Sequence, residues 1–399
     1  MPEHTSHEKQ LLEKAAQYMP GGSGGNTNFP SELQFLVREG RGSHLWDVSG
    51  NQYIDWLMGS GPMILGHAHP AVVEAVTESV SQGSTFFTIN EKAVLLSEEL
   101  ANAVPCAEKV RFTTSGTDAC FQAMRICRAF TGKEKVLKFE GGFHGTSDYA
   151  VMSVTPSAGL EFPQAVANSG GIPKALQDLM LISQYNDMDT TTAIIDAHHS
   201  ELAAVIVEPL QRVIGPQPGF LQGLRDLTIK YQIPLIFDEV VTGFRLSYGG
   251  AQSHYGVTPD LCAVGKIMGG GYPLAAVMGL SDIMSVYDQN LTASEDFVGQ
   301  TGTLNGNPIA CAAGLATLAE LRKDGAYERL RATGSRVRQA LLDTCAENGV
   351  PAQSSGDDAI FDVFFTDGEI TDYRSSMKAD KQKLGRFNRL LRERGAGDR

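Results

Sequence analysis

In the segment Leu235-Ile236-Phe237-Asp238-Glu239-Val240-Val241-Thr242-Gly243-Phe244-Arg245, an apolar run closes on a carboxylate. In Val264-Gly265-Lys266-Ile267-Met268-Gly269-Gly270-Gly271, a lysine 28 positions after that carboxylate stands between small and apolar residues. A strand covered on both faces reads as such a run, and it delivers Asp238 at its C-terminal end. Lys266 then sits in a desolvating loop, where a lysine's pKa falls and its amine becomes a nucleophile. A pyridoxal phosphate site needs these two groups. The carboxylate pairs with the protonated pyridine nitrogen, and the amine holds the aldehyde as a Schiff base. Taken alone, the pair also fits a strand-end cap and an ordinary surface lysine.

The neighbouring segments extend the pattern. Residues 202–209 and 233–238 are apolar runs separated by a helical stretch over 221–231. Residues 110–113 read as a strand, 114–118 as a turn and 119–130 as a helix. Residues 136–139 are another strand, ending in Gly141-Gly142-Phe143-His144-Gly145. Continuous apolar strands alternating with helices predict an α/β fold with a mostly parallel sheet covered on both faces. Ligands of such sheets bind at the carboxyl ends of the strands, and Ser115, His144, Glu208 and Asp238 all fall there. The N–H groups opening the helix after Ser115, Gly116 and Thr117 suit a phosphate, although the same residues are ordinary N-capping. Phe143, between glycines, can lie flat on a planar cofactor or simply fill a loop.

Composition bounds the function. The 399 residues carry a net charge of −13, which argues against a nucleic-acid surface and against a basic membrane-binding face. Positive charge for a phosphate must therefore be local. The six cysteines form no CxxC pair, which fits reduced thiols in the cytoplasm. Residues 1–17 lack the apolar core of a signal peptide, and no run of roughly 18 apolar residues spans a membrane.

Elsewhere, 7–18 reads as an amphipathic helix stopped by Pro20-Gly21-Gly22, and 23–30 as a loop. Short strands at 35–38 and 44–47 flank a turn at 39–42, and a helix covers 71–82. His67 and His69 have HxH spacing, but no third ligand pattern accompanies them, so no metal is expected. Residues 153–178 are long and irregular, which suggests a functional lid. Past Asn307 come helices through 326–348, a strand at 360–365 and a charged helix at 378–394. Three segments are expected: 1–60 joining the small domain, 61–306 as the large cofactor domain, and 307–399 as a small α+β domain.

Several ordered motifs together resemble the class III aminotransferases of the pyridoxal phosphate fold type I superfamily, nearest the glutamate-1-semialdehyde 2,1-aminomutase branch. They are 61–70 (GPMILGHAHP), 115–119 (SGTDA), 138–145 (KFEGGFHG), 207–209 (VEP), 237–245, 265–271 and 302–308. The resemblance runs collinearly from about residue 12 to about 395. It implies a seven-stranded, mostly parallel sheet, a pyridoxal 5'-phosphate cofactor and a homodimer whose sites form across the interface. It further implies that Lys266 carries the cofactor and moves the proton, and that Asp238 holds the pyridinium. Val240 and Phe143 would cover the two ring faces, and Ser115, Gly116 and Thr117 would cup the phosphate. Thr303 would reach the partner's phosphate, with His144 and Glu208 close by.

The substrate side departs from that branch. Residues 23–30 lack the Arg of its Ser-Pro-Val-Arg signature, Ser60 replaces an expected Trp, and 210–214 replaces an Asn-containing turn. Phe143 also stands where a Tyr is usual. Losing the Arg removes a charge-assisted bond worth ~1.5–3 kcal/mol to a carboxylate substrate; Arg212 or Arg245 could replace it. The expected function is transfer of an amino group between an amino acid or amine donor and a keto acid, aldehyde or ketone. The alternatives are the intramolecular aminomutase and a non-catalytic pyridoxal-fold protein. The branch continues past a segment like 390–395 with further strand and helix, so the C-terminal domain is expected to be short.

Overall fold

A computed structural model describes residues 4–25, 34–156 and 160–397. Helix α1 (Ser6–Tyr18) starts where the Thr5 hydroxyl accepts from the Glu8 N–H. Strands β1 (Val37–Arg41), β2 (His44–Asp47) and β3 (Gln52–Asp55) form an antiparallel meander. The turn expected at 39–42 is shorter than the composition suggests. Glu39, Gly40 and Arg41 still pair with Trp46, Leu45 and His44, leaving Gly42 at φ 56 to reverse the chain. Residues 26–30 of the loop expected at 23–30 lie outside the described residues.

Helices α2 (Pro70–Ser81) and α3 (Glu91–Ala103) lead to the large sheet. Its strands are β4 (Lys109–Thr113), β5 (Lys135–Phe139), β6 (Met180–Ser183), β7 (Leu202–Val207), β8 (Leu235–Glu239), β9 (Leu261–Val264) and β10 (Ala275–Gly279), in the order β4-β10-β9-β8-β7-β5-β6. Only β10 runs against its neighbours. This is the seven-stranded, mostly parallel sheet that the motifs imply. Alternate residues feed two cores, as a doubly covered sheet requires. Leu235 and Phe237 of β8 enter one core, while Ile236 enters the other; Leu202, Val205 and Val207 of β7 oppose Ala204 and Ile206 in the same way.

Helix α4 (Gly116–Thr131) covers the second face with Ala119, Cys120, Ala123, Met124 and Cys127. Helices α5 (Met188–His198) and α6 (Phe220–Lys230) cross over on the first, followed by the short α7 (Gly250–Tyr255) and α8 (Ser281–Met284). Helix α9 (Pro308–Leu321) is apolar nearly all round, and it packs between α2, α3 and the 3-10 turn Lys266–Gly269. The segment suggested as a lid is pinned. Ser153 N–H donates to Val166 O at 2.7 Å and Ile182 N–H to Pro163 O at 3.0 Å, so its described part is docked on the sheet; 157–159 lie outside the described residues.

Helix α10 (Ala326–Glu347) precedes the hairpin β11 (Gln353–Asp357) and β12 (Ile360–Phe364), then α11 (Tyr373–Ser376) and α12 (Lys381–Glu393). Strand β13 (Ala396–Gly397) pairs in parallel with β3, so the last described residues complete the N-terminal sheet. No helix among the described residues is long and apolar enough to cross a membrane.

Candidate active site

Five loops leave the large sheet at one edge, because β4, β5, β7, β8 and β9 all run the same way. They present Ser115 after β4, Phe143 and His144 after β5, Glu208 after β7, Asp238 at the end of β8 and Lys266 after β9. The edge is the carboxyl end of a parallel sheet, the usual ligand position of such folds.

Asp238 is the most constrained member. Its Oδ2 accepts from His144 Nδ1 at 2.7 Å and from Cys120 Sγ at 3.2 Å, and its Oδ1 accepts the Val240 N–H at 3.1 Å. Asp238, His144 and Cys120 are all buried. His144 Nε2 is buried without a partner, which leaves room for a further polar group.

Lys266 sits at φ 49, a left-handed conformation that a side chain seldom adopts and that marks functional strain. Burial lowers its ammonium's pKa; the cations Arg212 and Arg245 lower it further, while Asp238 and Glu208 oppose them. These groups therefore share one electrostatic site. Gly61 runs past the lysine, so that a Cβ there would lie 3.8 Å from Lys266 Cδ and 3.6 Å from Arg245 Nη2.

The Ser115 hydroxyl caps α4 by accepting the Asp118 N–H at 3.2 Å. A Cβ on Gly116 would come within 2.7 Å of Val240, and one on Gly145, at φ 91, within 2.5 Å of Thr117 Cα. The helix start, the β8 loop and the β5 loop thus close on one another too tightly for any side chain. Thr146 N–H donates to Thr117 Oγ1 at 3.3 Å across the same junction. Free N–H groups at this helix start suit a phosphate. With a strand-end carboxylate and a lysine of lowered pKa beside it, the residues fit pyridoxal phosphate.

The Phe143 N–H donates to Glu208 Oε2 at 3.0 Å, and burial raises the Glu208 pKa. The Arg212 guanidinium lies 5.1 Å from the centre of the Phe143 ring, on a backbone at φ 61. Arg245 is placed differently from Arg212. Its guanidinium donates to Gly61 O and, at 3.3 Å, to Ala359 O, tying the turn before α2 to the β11–β12 hairpin. Burial lowers its pKa to about 10. Ser60 is exposed at φ 66 beside Gly61, and Thr303 is exposed in the turn ahead of α9. His67 Nε2 is taken up by Asp55 Oδ2 at 2.7 Å, which explains the first histidine of the HxH pair as a loop tie.

Two residues at the site went unread in the sequence. Cys120 belongs to the i, i+4, i+7 face with Met124 and Cys127, so its burial was legible but its hydrogen bond was not. Lys138 is fully buried within β5 and donates to Gly142 O (2.9 Å), Ala150 O (2.9 Å) and Met152 O (2.6 Å), clamping the loop that carries Phe143 and His144. Burial pushes it down to about 7. Its signal was a charge inside an apolar run, since a buried lysine requires partners.

The class III aminotransferase family model matches residues 27–376, and the chain belongs to that family of pyridoxal-phosphate-dependent enzymes. A glutamate-1-semialdehyde 2,1-aminomutase of Desulforudis audaxviator is 41% identical over 397 residues, covering 97% of this chain and 89% of that protein. The crystal structure of an omega-transaminase from Sphaerobacter thermophilus superposes with a TM-score of 0.93 at 36% identity, covering 99% of this chain and 91% of that one. A glutamate-1-semialdehyde aminomutase from Pseudomonas aeruginosa superposes with a TM-score of 0.85 at 26% identity, covering 98% and 87%.

Proposed function

We propose that the chain is an intermolecular transaminase acting on a carboxylate-bearing amino donor, with Arg212 as the carboxylate anchor. The observation that carries this reading is the Arg212 guanidinium, exposed on a left-handed backbone over the Phe143 ring. Strain of this kind collects at functional positions. Arg245, by contrast, spends its donors on Gly61 and Ala359 and acts as a structural tie. The enlarged wall at Ser60 suits a donor bulkier than a short semialdehyde.

Pyridoxal phosphate, when bound, supplies the electron sink that stabilises negative charge at the donor's Cα. Lys266 holds the cofactor and moves the Cα proton, a role that its lowered pKa favours. Asp238 holds the pyridine nitrogen protonated, with His144 fixing its carboxylate. Ser115, Gly116 and Thr117 bind the phosphate; Val240 and Phe143 cover the ring, and Glu208 holds the Phe143 loop through its N–H. The second reading, an aminomutase, is favoured by the 41% identical relative of that name.

A homodimer supports the same site. Thr303 and Leu304 are exposed, as are Phe87 and Ile89, and Asn90 ties the turn to the start of α3 by donating to Gly306 O at 2.8 Å. A cytoplasmic location is supported by six cysteines that are all free thiols.

The test is the visible spectrum of the loaded enzyme as α-amino acids, β-amino acids and simple amines are added in turn. Transamination requires the band to bleach while one equivalent of keto product appears. An unchanged band with every donor, together with turnover of glutamate-1-semialdehyde, would select the aminomutase. Lys266→Ala should lose the band and all turnover while retaining the fold by circular dichroism; a variant that still transaminates would refute the lysine's role.

A further inference from the structure

We propose that Cys120 is a positioning residue for the pyridine end of the cofactor site, acting as a hydrogen-bond donor to Asp238. The proposal rests on reading Asp238 as the carboxylate that faces the pyridine nitrogen. Three protein donors hold that carboxylate: His144 Nδ1 at 2.7 Å and Cys120 Sγ at 3.2 Å on Oδ2, and the Val240 N–H at 3.1 Å on Oδ1. With Oδ2 taken twice from behind, the free acceptor capacity that remains lies on Oδ1.

The thiol is suited to a donor's role. Cys120 is 1% exposed, and burial together with the charges of Asp238 and Glu208 raises its pKa well above the ordinary thiol value. It therefore keeps its proton, and with it the bond to Asp238, wherever the enzyme works. Around the carboxylate stand His144 and Lys138 from the β5 side, Glu208 from β7, Lys266 from β9 and Cys120 from α4. Cys120 lies five residues beyond the Ser115 cap, about 7.5 Å along the helix axis. One helix thus presents its N-terminus to the anion end of the site and a thiol to the carboxylate end. His144 Nε2, buried and unpartnered, is the second sign that the network is built toward a bound group.

A carboxylate that loses a donor is a less stable anion, and binding that depends on the anion then fails at a higher pH. The experiment measures pyridoxal phosphate affinity of the apoenzyme as a function of pH for wild type, Cys120→Val, Cys120→Ala, Cys120→Ser and Asp238→Ala, with apoenzyme melting temperature alongside. The valine and alanine variants should weaken affinity about threefold to tenfold and move the acid limb of binding up by about half a pH unit. Serine restores a donor and should return the limb to its wild-type position. Alanine is smaller than the thiol and valine larger, so a limb shift shared by both at an unchanged melting temperature separates donation from packing. If valine cannot fold, the alanine and serine pair carries the same comparison. A wild-type limb in valine and alanine, with affinity lost in Asp238→Ala, would overturn the role of Cys120 alone. Unaltered affinity in Asp238→Ala would overturn the reading of Asp238 as well.

Discussion

As the proposed carboxylate anchor, Arg212 would act on both affinity and protonation at this site. Its guanidinium lies over Phe143 and is among the charges that lower the Lys266 pKa. Arg212→Gln should raise KM for a carboxylate donor by roughly 10- to 100-fold, the loss of one charge-assisted bond of ~1.5–3 kcal/mol. Simple amines have no carboxylate to lose, and their KM should change little. The same change removes a cation beside Lys266, so the lysine's pKa rises toward its ordinary value. At a given pH less of the apoenzyme then carries the free amine. The rate at which apoenzyme captures pyridoxal phosphate should therefore follow a limb displaced to higher pH. Stopped-flow absorbance across pH 6–10 reads it, and a limb displaced downward would contradict the assignment.

At the scale of elements, the site is assembled by strand ends and then fastened from outside. The buried Glu140, one residue past β5, accepts from Arg374 of α11 at 2.7 Å and 3.0 Å, and the same guanidinium lies 4.4 Å from the centre of the Phe162 ring. Arg374→Ala leaves a buried carboxylate without its cation. The expected cost is about 2–3 kcal/mol, below that of a fully buried pair because Arg374 remains partly exposed. Urea unfolding of the apoenzyme should show a lower midpoint at unchanged slope. Arg374→Lys should recover only part of it, because one ammonium cannot reproduce the two-pronged contact. Legibility followed the same division. The apolar runs of β5, β7 and β8 announced a doubly covered sheet, and with it Asp238. By contrast, β6, β9 and β10 passed unread, because a buried run of four or five residues carries no period of its own. Strands β5 and β8, no longer than β10, were legible only beside the Gly-rich turn and the carboxylates that close them. Helix α3 went unread as well, although its Asn90 cap and Glu91 are ordinary start signals. The Arg374–Glu140 and Cys120–Asp238 contacts join residues 234 and 118 positions apart, and a single sequence gives no account of such pairs.

At the scale of the whole molecule, several large apolar side chains among the described residues stand exposed around α2, α3 and the turn ahead of α9. Phe87 and Ile89 are 70% and 78% exposed, and Val73 and Val80 of α2, Val94 and Leu95 of α3, and Leu304 are also exposed. Helices α2 and α3 both pack on α9, and the Asn90–Gly306 bond brings the Leu304 turn to the start of α3, so these side chains belong to one region. Exposed apolar side chains of this kind on a chain of net charge −13 suit a partner surface that is apolar rather than basic. A second copy supplies one by symmetry. Thr303 lies on the same turn as Leu304, which is compatible with the proposed reach to a partner's phosphate. The double substitution Phe87→Asp/Ile89→Asp inserts two charges per copy into that contact, four in the pair, where like charges face burial. Sedimentation should then report a species of 42.9 kDa where the wild type reports twice that mass. If Thr303 serves the neighbouring site, the monomeric variant should also bind pyridoxal phosphate more weakly, and Thr303→Ala in the intact dimer should reproduce part of that loss. A wild-type monomer holding its cofactor at full affinity would dissociate the patch from the site and leave Thr303 as a turn residue only.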